Sequence, residues 1–196
     1  MMAGRPREFD RDAALRTMQE LFWRHGFEGV SMADLVAATG LASARLYAAF
    51  GSKEQMFREA VELYMQTEGG FADRTIAEEP TLADALRRML RDAVDVYAKP
   101  HPRGCMVVAA ATNCTPGHEE IREWLEKHRH ERAQSITRAV RAAKKSGELR
   151  PDADVQQLGD YFATVLNGLS VQARDGVSPR RLRAVIEPAI AVLPLR

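Results

Sequence analysis

The stretch FWRHGFEGVSMADLVAATGLASARLYAAFGSKEQMF, residues 22–57, decides the fold. It places three stops close together: GFEGV at 26–30, GLA at 40–42 and GS at 51–52. After the first stop, Ser31 to Asp34 has the form of a capping box with Asp in place of Glu, opening a short helix that carries Leu35 and Val36 and ends at Gly40. A second short helix runs from Ser43 to Phe50, with Leu46, Tyr47 and Phe50 as its apolar residues, and Gly51 breaks it. SKEQ, residues 52–55, is another capping box and opens a longer helix with Phe57, Ala60, Val61 and Tyr64 on one side. Two short helices joined by Gly40-Leu41-Ala42 have the form of a helix-turn-helix. Leu46 and Phe50 face inward against Leu35 and Leu21, while Ser43, Ala44, Arg45, Ala48 and Ala49 face outward. A second helix so presented can lie in a DNA major groove. The same glycine turn is also a common packing device, so spacing alone leaves both readings open.

Working outward, Asp10 caps a helix with Ala14, Leu15, Met18, Leu21 and Phe22 at helical spacing, and Gly26 stops it. Beyond residue 65 the helices lengthen. Thr81 opens a segment carrying Leu82, Leu86, Met89, Leu90, Ala93, Val94 and Tyr97. KPHPRG, residues 99–104, is a break, and residues 103–113 are a short apolar helix. Thr115-Pro116 reads as a cap with proline at the first helical position. Ile121, Trp124, Leu125, His128, Ile136, Ala139, Val140 and Ala143 then run along a long helix to Gly147. Asp152 opens a helix with Leu158, Tyr161, Phe162, Val165, Leu166 and Leu169 on one face. Ser178-Pro179 opens the last, with Leu182, Val185, Ile186, Ala189 and Ile190. The expectation is an all-α protein of about nine helices: a three-helix helix-turn-helix unit over residues 1–55 and a larger helical unit over 56–196.

Composition agrees with a globular chain. Of 196 residues, 45% are hydrophobic and 28% charged, enough for a real core. The longest apolar run, Cys105 to Ala111, is far short of the roughly 20 residues a spanning helix needs. The N-terminus lacks the apolar region of a secretory signal, and two cysteines make no disulfide framework, so a cytoplasmic location is expected. Net charge is +1, and the first 55 residues carry seven basic and seven acidic side chains. DNA binding would therefore rest on the placement of a few groups. The five histidines and two cysteines show no zinc spacing, and no metal or cofactor is expected. Phosphate-binding loops, nucleophile elbows and HExxH are missing, and the carboxylates sit on charged helix faces.

The residues from Phe22 to Phe57 resemble the TetR family of bacterial transcriptional regulators. GF before a Ser cap, G-L-A, LYxxF and SKE stand in the family's order, and nearly every part of its pattern is present. The resemblance implies roles at matching positions. Ser31 approaches the DNA backbone, the Tyr47 hydroxyl meets a phosphate, and Lys53 meets another at the start of the next helix. Ala33, Ser43, Ala44, Arg45 and Ala48 face bases, with Arg45 the side chain suited to bidentate guanine readout. Where many members carry histidine or a bulky polar residue, this chain has Ala48-Ala49. That shifts weight to Arg45, Ser43 and the N-terminal Arg5 and Arg7.

It further implies a homodimer on an inverted-repeat operator, most often a repressor, released when a small, partly apolar effector binds the C-terminal domain. Leu158, Phe162, Val165, Leu166, Leu169, Leu182, Val185, Ile186 and Ile190 are the expected dimer face. Met89, Tyr97, Cys105, Met106, Asn113, Trp124, Phe162 and Asn167 are the expected effector contacts. GCMVV, residues 104–108, resembles a branch in which some members respond to electrophiles, so a thiol sensor acting through Cys105 is one alternative. Cys105 and Cys114, nine residues apart, would face opposite sides of one continuous helix. A helical adaptor that binds only protein is the other alternative.

Overall fold

The computed structural model describes residues 9–99, 104–111 and 117–196. Eleven α-helices are described there: α1 (Arg11–His25), α2 (Met32–Thr39), α3 (Ser43–Phe50), α4 (Lys53–Gln66), α5 (Phe71–Glu78), α6 (Leu82–Tyr97), α7 (Met106–Ala111), α8 (Glu119–Ser146), α9 (Val155–Arg174), α10 (Pro179–Arg183) and α11 (Ile186–Ile190). Among the described residues the only β pairing is a single bridge, Leu149 to Leu195. Arg5, Arg7, Asn113, Cys114 and the Thr115-Pro116 cap lie outside the described residues.

The expected caps form. Asp10 accepts from the Ala13 amide at 2.9 Å. Ser31 and Asp34 make a reciprocal capping box: Ser31 Oγ accepts from the Asp34 amide, and Asp34 accepts from the Ser31 amide at 2.8 Å. Ser52 and Gln55 repeat it at α4. Three boundaries differ from the sequence expectation. The long helix α8 begins at Glu119, because Gly117 at φ 105 takes the chain out of helical geometry. α9 is capped by Asp154, whose carboxylate accepts from the Gln156 and Gln157 amides. The last helix splits into α10 and α11, since Pro188 has no amide to donate to the Ala184 carbonyl.

Two hydrophobic clusters organise the chain. The first joins Met18, Phe22 and Trp23 of α1 to Leu35, Leu46, Phe50, Phe57 and Tyr64, and is closed by Met106 and Val107 of α7 and by Ile121 and Leu125 of α8. It therefore holds residues on both sides of position 55. The second packs Leu86, Met89 and Leu90 of α6 against Ile136 and Val140 of α8, Phe162 and Leu166 of α9, and Leu182, Ile186 and Ile190. Each such fully buried Leu, Ile or Phe stabilises the fold by roughly 1.5–3 kcal/mol. α8 contributes to both clusters.

The clusters meet at a three-way anchor on residues 104 and 105. Trp23 Nε1–H donates to the Gly104 carbonyl at 2.9 Å. The Gly104 amide donates to the Tyr97 carbonyl at 3.3 Å, and the Cys105 amide donates to Ser170 Oγ at 2.7 Å. Gly104 is required here: its φ is +64, and a Cβ would stand 2.5 Å from the Ser170 carbonyl oxygen.

α8 and α9 approach closely at a second glycine. A Cβ on Gly159 would lie 2.1 Å from Thr137 Oγ1 and 3.1 Å from Thr137 Cα. Gly159→Ala would gain about 1 kcal/mol in helix propensity, but overpacking costs typically about 1–3 kcal/mol, and the backbone contact prevents easy relief. Net destabilisation of about 1–2 kcal/mol is expected in urea unfolding; a stabilised variant would show that the helices part freely.

Candidate DNA interface and effector cavity

The DNA-facing surface is built by α2 and α3. Leu35 and Leu46 are wholly buried and Phe50 nearly so, which fixes the outward face of α3. Ser43, Ala44 and Ala48 are exposed there, Ser31 and Ala33 are exposed on the α2 side, and Tyr47 stands 49% exposed. The exposed ring presents its hydroxyl to whatever lies against this face of small residues. Asp34's carboxyl is held below the usual carboxylate range by hydrogen bonds from Ser31. Its capping contribution is thus present above the ordinary carboxylate range and is lost only as pH falls through that lowered value.

Arg45 and Lys53 are placed by contacts of their own. Arg45 lies over the Phe9 ring at 5.3 Å, and Phe9 in turn meets Phe50 at 6.4 Å. Phe9, two residues ahead of α1, is thereby docked against the recognition helix. Lys53 Nζ donates to the Val30 carbonyl at 2.8 Å and sits 4.2 Å from the Phe27 ring centroid. This ammonium is oriented, with two of its three donors left for an anion.

A cavity of about 40 Å³ lies between the clusters, room for the centres of about three waters. Tyr64 and Met65 of α4, Gly69, Tyr97, Cys105, Val107, Val108, His128, Arg129, Arg132 and Ala133 of α8, and Ala163, Leu166 and Asn167 of α9 line it. Burial pushes the hydroxyl pKa of both Tyr64 and Tyr97 well up, the neighbouring Cys105 adds to this, and the positive charge of Arg132 opposes it. The thiol lies beside the Tyr64 hydroxyl without hydrogen-bond geometry, so that hydroxyl is buried with no partner among the described residues. Trp23 forms the wall behind it, its ring 4.7 Å from Tyr64 in an edge-on contact.

Three of the expected effector contacts, Tyr97, Cys105 and Asn167, line this cavity. Four do not. Met89 and Phe162 are wholly buried in the second cluster, and Met106 is buried in the first. Trp124 packs edge-on to His128 at 4.5 Å and under Arg58 at 4.9 Å, outside the cavity wall. Tyr64, His128 and Arg132 line the cavity and were not among the expected contacts. The sequence holds a signal for Arg132: it occupies the step between His128 and Ile136 on the apolar stripe of α8, where a charge needs a reason.

Most of the expected dimer face is used inside the protomer. Leu158, Phe162, Leu166, Leu169, Leu182, Ile186 and Ile190 are all buried in the second cluster and have almost no area to offer a partner. Val165 is half-buried and Val185 is 45% exposed. The outward stripe of α9 is instead Tyr161, Val165, Gly168 and Gln172, four positions at helical spacing.

A short α2, a glycine turn and an α3 with an open face, mounted on a larger helical body, define a helix-turn-helix DNA-binding protein. Residues 13–60 match the profile "Bacterial regulatory proteins, tetR family", and residues 83–188 match "Tetracyclin repressor-like, C-terminal domain". The chain is 31% identical over 193 residues to the HTH-type transcriptional repressor ComR of Escherichia coli, covering 97% of this chain and 92% of ComR. It is 29% identical over 182 residues to the repressor BdcR of the same organism, 92% and 87% of the two chains. Among solved structures it resembles a triple-cysteine mutant of the TetR-family regulator CifR complexed with 26-base-pair operator DNA, with 40% identity, a TM-score of 0.92, and coverage of 97% and 100%. The chain belongs to the TetR family of DNA-binding transcriptional regulators, which are not enzymes and which act as dimers that bind effectors. No described helix is long and apolar enough to cross a membrane.

Tyr64→Phe removes a buried hydroxyl that has no partner among the described residues. The substitution is expected to be neutral or to stabilise the protein by up to about 2 kcal/mol. Destabilisation beyond about 1 kcal/mol in thermal or urea unfolding would show that the hydroxyl is satisfied in solution.

Proposed function

We propose that this chain is a homodimeric repressor that reads an inverted-repeat operator through α3 and releases it when a small molecule enters the cavity behind Trp23. The observation that carries the reading is the open α3 face, with Tyr47 exposed and Arg45 and Lys53 each held in place beside it. The likeness to CifR, whose solved complex holds operator DNA, supports it. One eight-residue helix of mostly small side chains makes few contacts, and two copies on a two-fold axis double them. Arg45 reads a guanine edge; Ser31, Tyr47 and Lys53 hold the backbone; Ala33, Ser43, Ala44 and Ala48 fit against base edges and thymine methyls. Val165, Val185 and the α9 stripe supply the contact between copies, and residues 1–55 act as the DNA-binding unit on the body formed by 56–196.

A small molecule in the cavity would press on Tyr64 and on the Gly104–Cys105 anchor, both of which touch Trp23 of α1. Binding is then linked to the position of α1, and with it to the spacing of the two recognition helices.

Selection from a random duplex library should return an inverted repeat whose affinity falls steeply with salt. Arg45→Ala should relax preference at one base step per half-site, at roughly 1–3 kcal/mol per contact, while Tyr47→Phe should weaken binding evenly across sequences. Failure to enrich an inverted repeat at low salt, before and after refolding, would favour the protein-interaction adaptor.

A second reading has its own observation: Cys105 lines the same cavity, between two tyrosine hydroxyls. An electrophile admitted there would meet the sulfur. With N-ethylmaleimide the carbon–sulfur bond forms and the thiol proton ends on the ring carbon beside it. Release of operator on treating the Cys114→Ser variant, and retention when Cys105→Ser is added, would establish the thiol as a sensor. Equal behaviour of the two variants would remove that role.

A further inference from the structure

The cavity wall has a one-sided charge. His128 and Arg132, one turn apart on α8, both line it, and Arg129 stands between them. Every acidic side chain is missing from that wall among the described residues. Two carboxylates approach these side chains from residues that do not line the cavity: Glu131 reaches His128 Nδ1 at 3.3 Å, and Asp73 lies 4.0 Å from Arg132. His128 Nδ1 is thus engaged on the outside, while Nε2 is buried with no partner among the described residues. Arg132 is steadied by one hydrogen bond to the Gly69 carbonyl at 3.1 Å, leaving most of its five N–H donors uncommitted by that contact. Facing this group, the Tyr64 hydroxyl is also without a partner, on a side chain only 1% exposed. Val107 and Val108 of α7 and Ala163 and Leu166 of α9 make an aliphatic part of the wall, with Tyr97, Cys105 and Asn167 completing it.

The Arg132 guanidinium and the unpartnered Tyr64 hydroxyl, beside an apolar wall, define their complement: a compact group rich in acceptor oxygens, carrying negative charge, attached to a short apolar body. We propose that the effector is a small organic acid bound as its carboxylate, with the oxygens toward His128, Arg132 and the Tyr64 hydroxyl and the tail against α7 and α9. The proposal rests on the reading of the chain as an effector-responsive repressor and names the class of ligand. A neutral amide of the same shape offers one acceptor oxygen in place of two and no charge to the guanidinium, so discrimination is against the uncharged isostere.

The test uses full-length protein and matched probes: acetate and acetamide, butyrate and butyramide, benzoate and benzamide, at constant ionic strength. At least one acid should raise the melting temperature more than its amide does, and Arg132→Gln should abolish the difference. A second readout is independent of that variant's folding. In Cys114→Ser protein, Cys105 is alkylated with iodoacetate or iodoacetamide: sulfur displaces iodide, the carbon–sulfur bond forms, and the thiol proton goes to solvent. The ratio of the two rates cancels the thiol's own ionisation. At Cys105 it should exceed the ratio for N-acetylcysteine by about 10-fold, the lower end of electrostatic focusing in a cleft. A ratio no higher than the free thiol's, or a thiol that neither reagent reaches together with no acid outperforming its amide, overturns the proposal. Operator binding by untreated protein is measured in parallel. If that persists while acid preference fails, the ligand class is wrong and the repressor reading stands; if operator binding itself fails, the repressor reading falls separately.

Discussion

The indole of Trp23 is the contact on which the two halves of this molecule depend. Its N–H is committed to the Gly104 carbonyl, its ring leans edge-on against Tyr64, and it is 1% exposed. A buried indole N–H without an acceptor would cost on the order of 1–3 kcal/mol, so α1 is bound to that one carbonyl. The carbonyl is in turn fixed by neighbours from α6 and α9. The DNA-binding helices are therefore continuous with the wall of the cavity, through this indole and peptide group and through Tyr64 and Met65 of α4.

The recognition surface follows a complementary logic. Its helices are too short to be stable alone, and α2 and α4 are held at their starts by reciprocal capping boxes. α3 has no side-chain cap of its own, and its place is set by the burial of Leu46 and Phe50. Burial on one face leaves small residues on the other, which lets the backbone of α3 approach a groove closely. Charge is supplied sparingly and in fixed positions, with Arg45 against Phe9 and Lys53 against Phe27. Side chains already oriented lose less freedom on binding than mobile ones.

Much of this was legible in the sequence, because local rules dominate near the N-terminus. Caps, glycine stops and helical spacing place α1 to α4 within a residue or two, and the inward and outward faces of α3 follow from them. The C-terminal region was harder to read, for a physical reason. An apolar stripe on α9 says that the face is buried, but not whether the neighbour is α6, α8 or a second chain. Leu158, Phe162 and Leu166 pack within the protomer, and the stripe left outward is the less apolar one through Tyr161 and Gln172. The cavity shows the same limit. Met89 and Trp124 have the right chemistry for a pocket but lie elsewhere, whereas Arg132 and His128 belong to it through the way α8 passes between the two clusters. The break at Pro188 could have been read in advance, since a proline inside a helical pattern is a strong local signal.

The length of α8 has a mechanical consequence. Twenty-eight residues make a rod of about 42 Å, anchored by Ile121 and Leu125 in one core and by Ile136 and Val140 in the other, with the cavity wall on the middle of its span. Tilting such a rod by 5° about one end carries the other end through about 4 Å, by the same helix dimensions. That sweep is close to the rise of one base pair along a duplex, about 3.4 Å. On the proposed function, a lever of this reach would carry the Ile121 end, packed into the core of the DNA-binding helices, through such a step for a small change at the cavity.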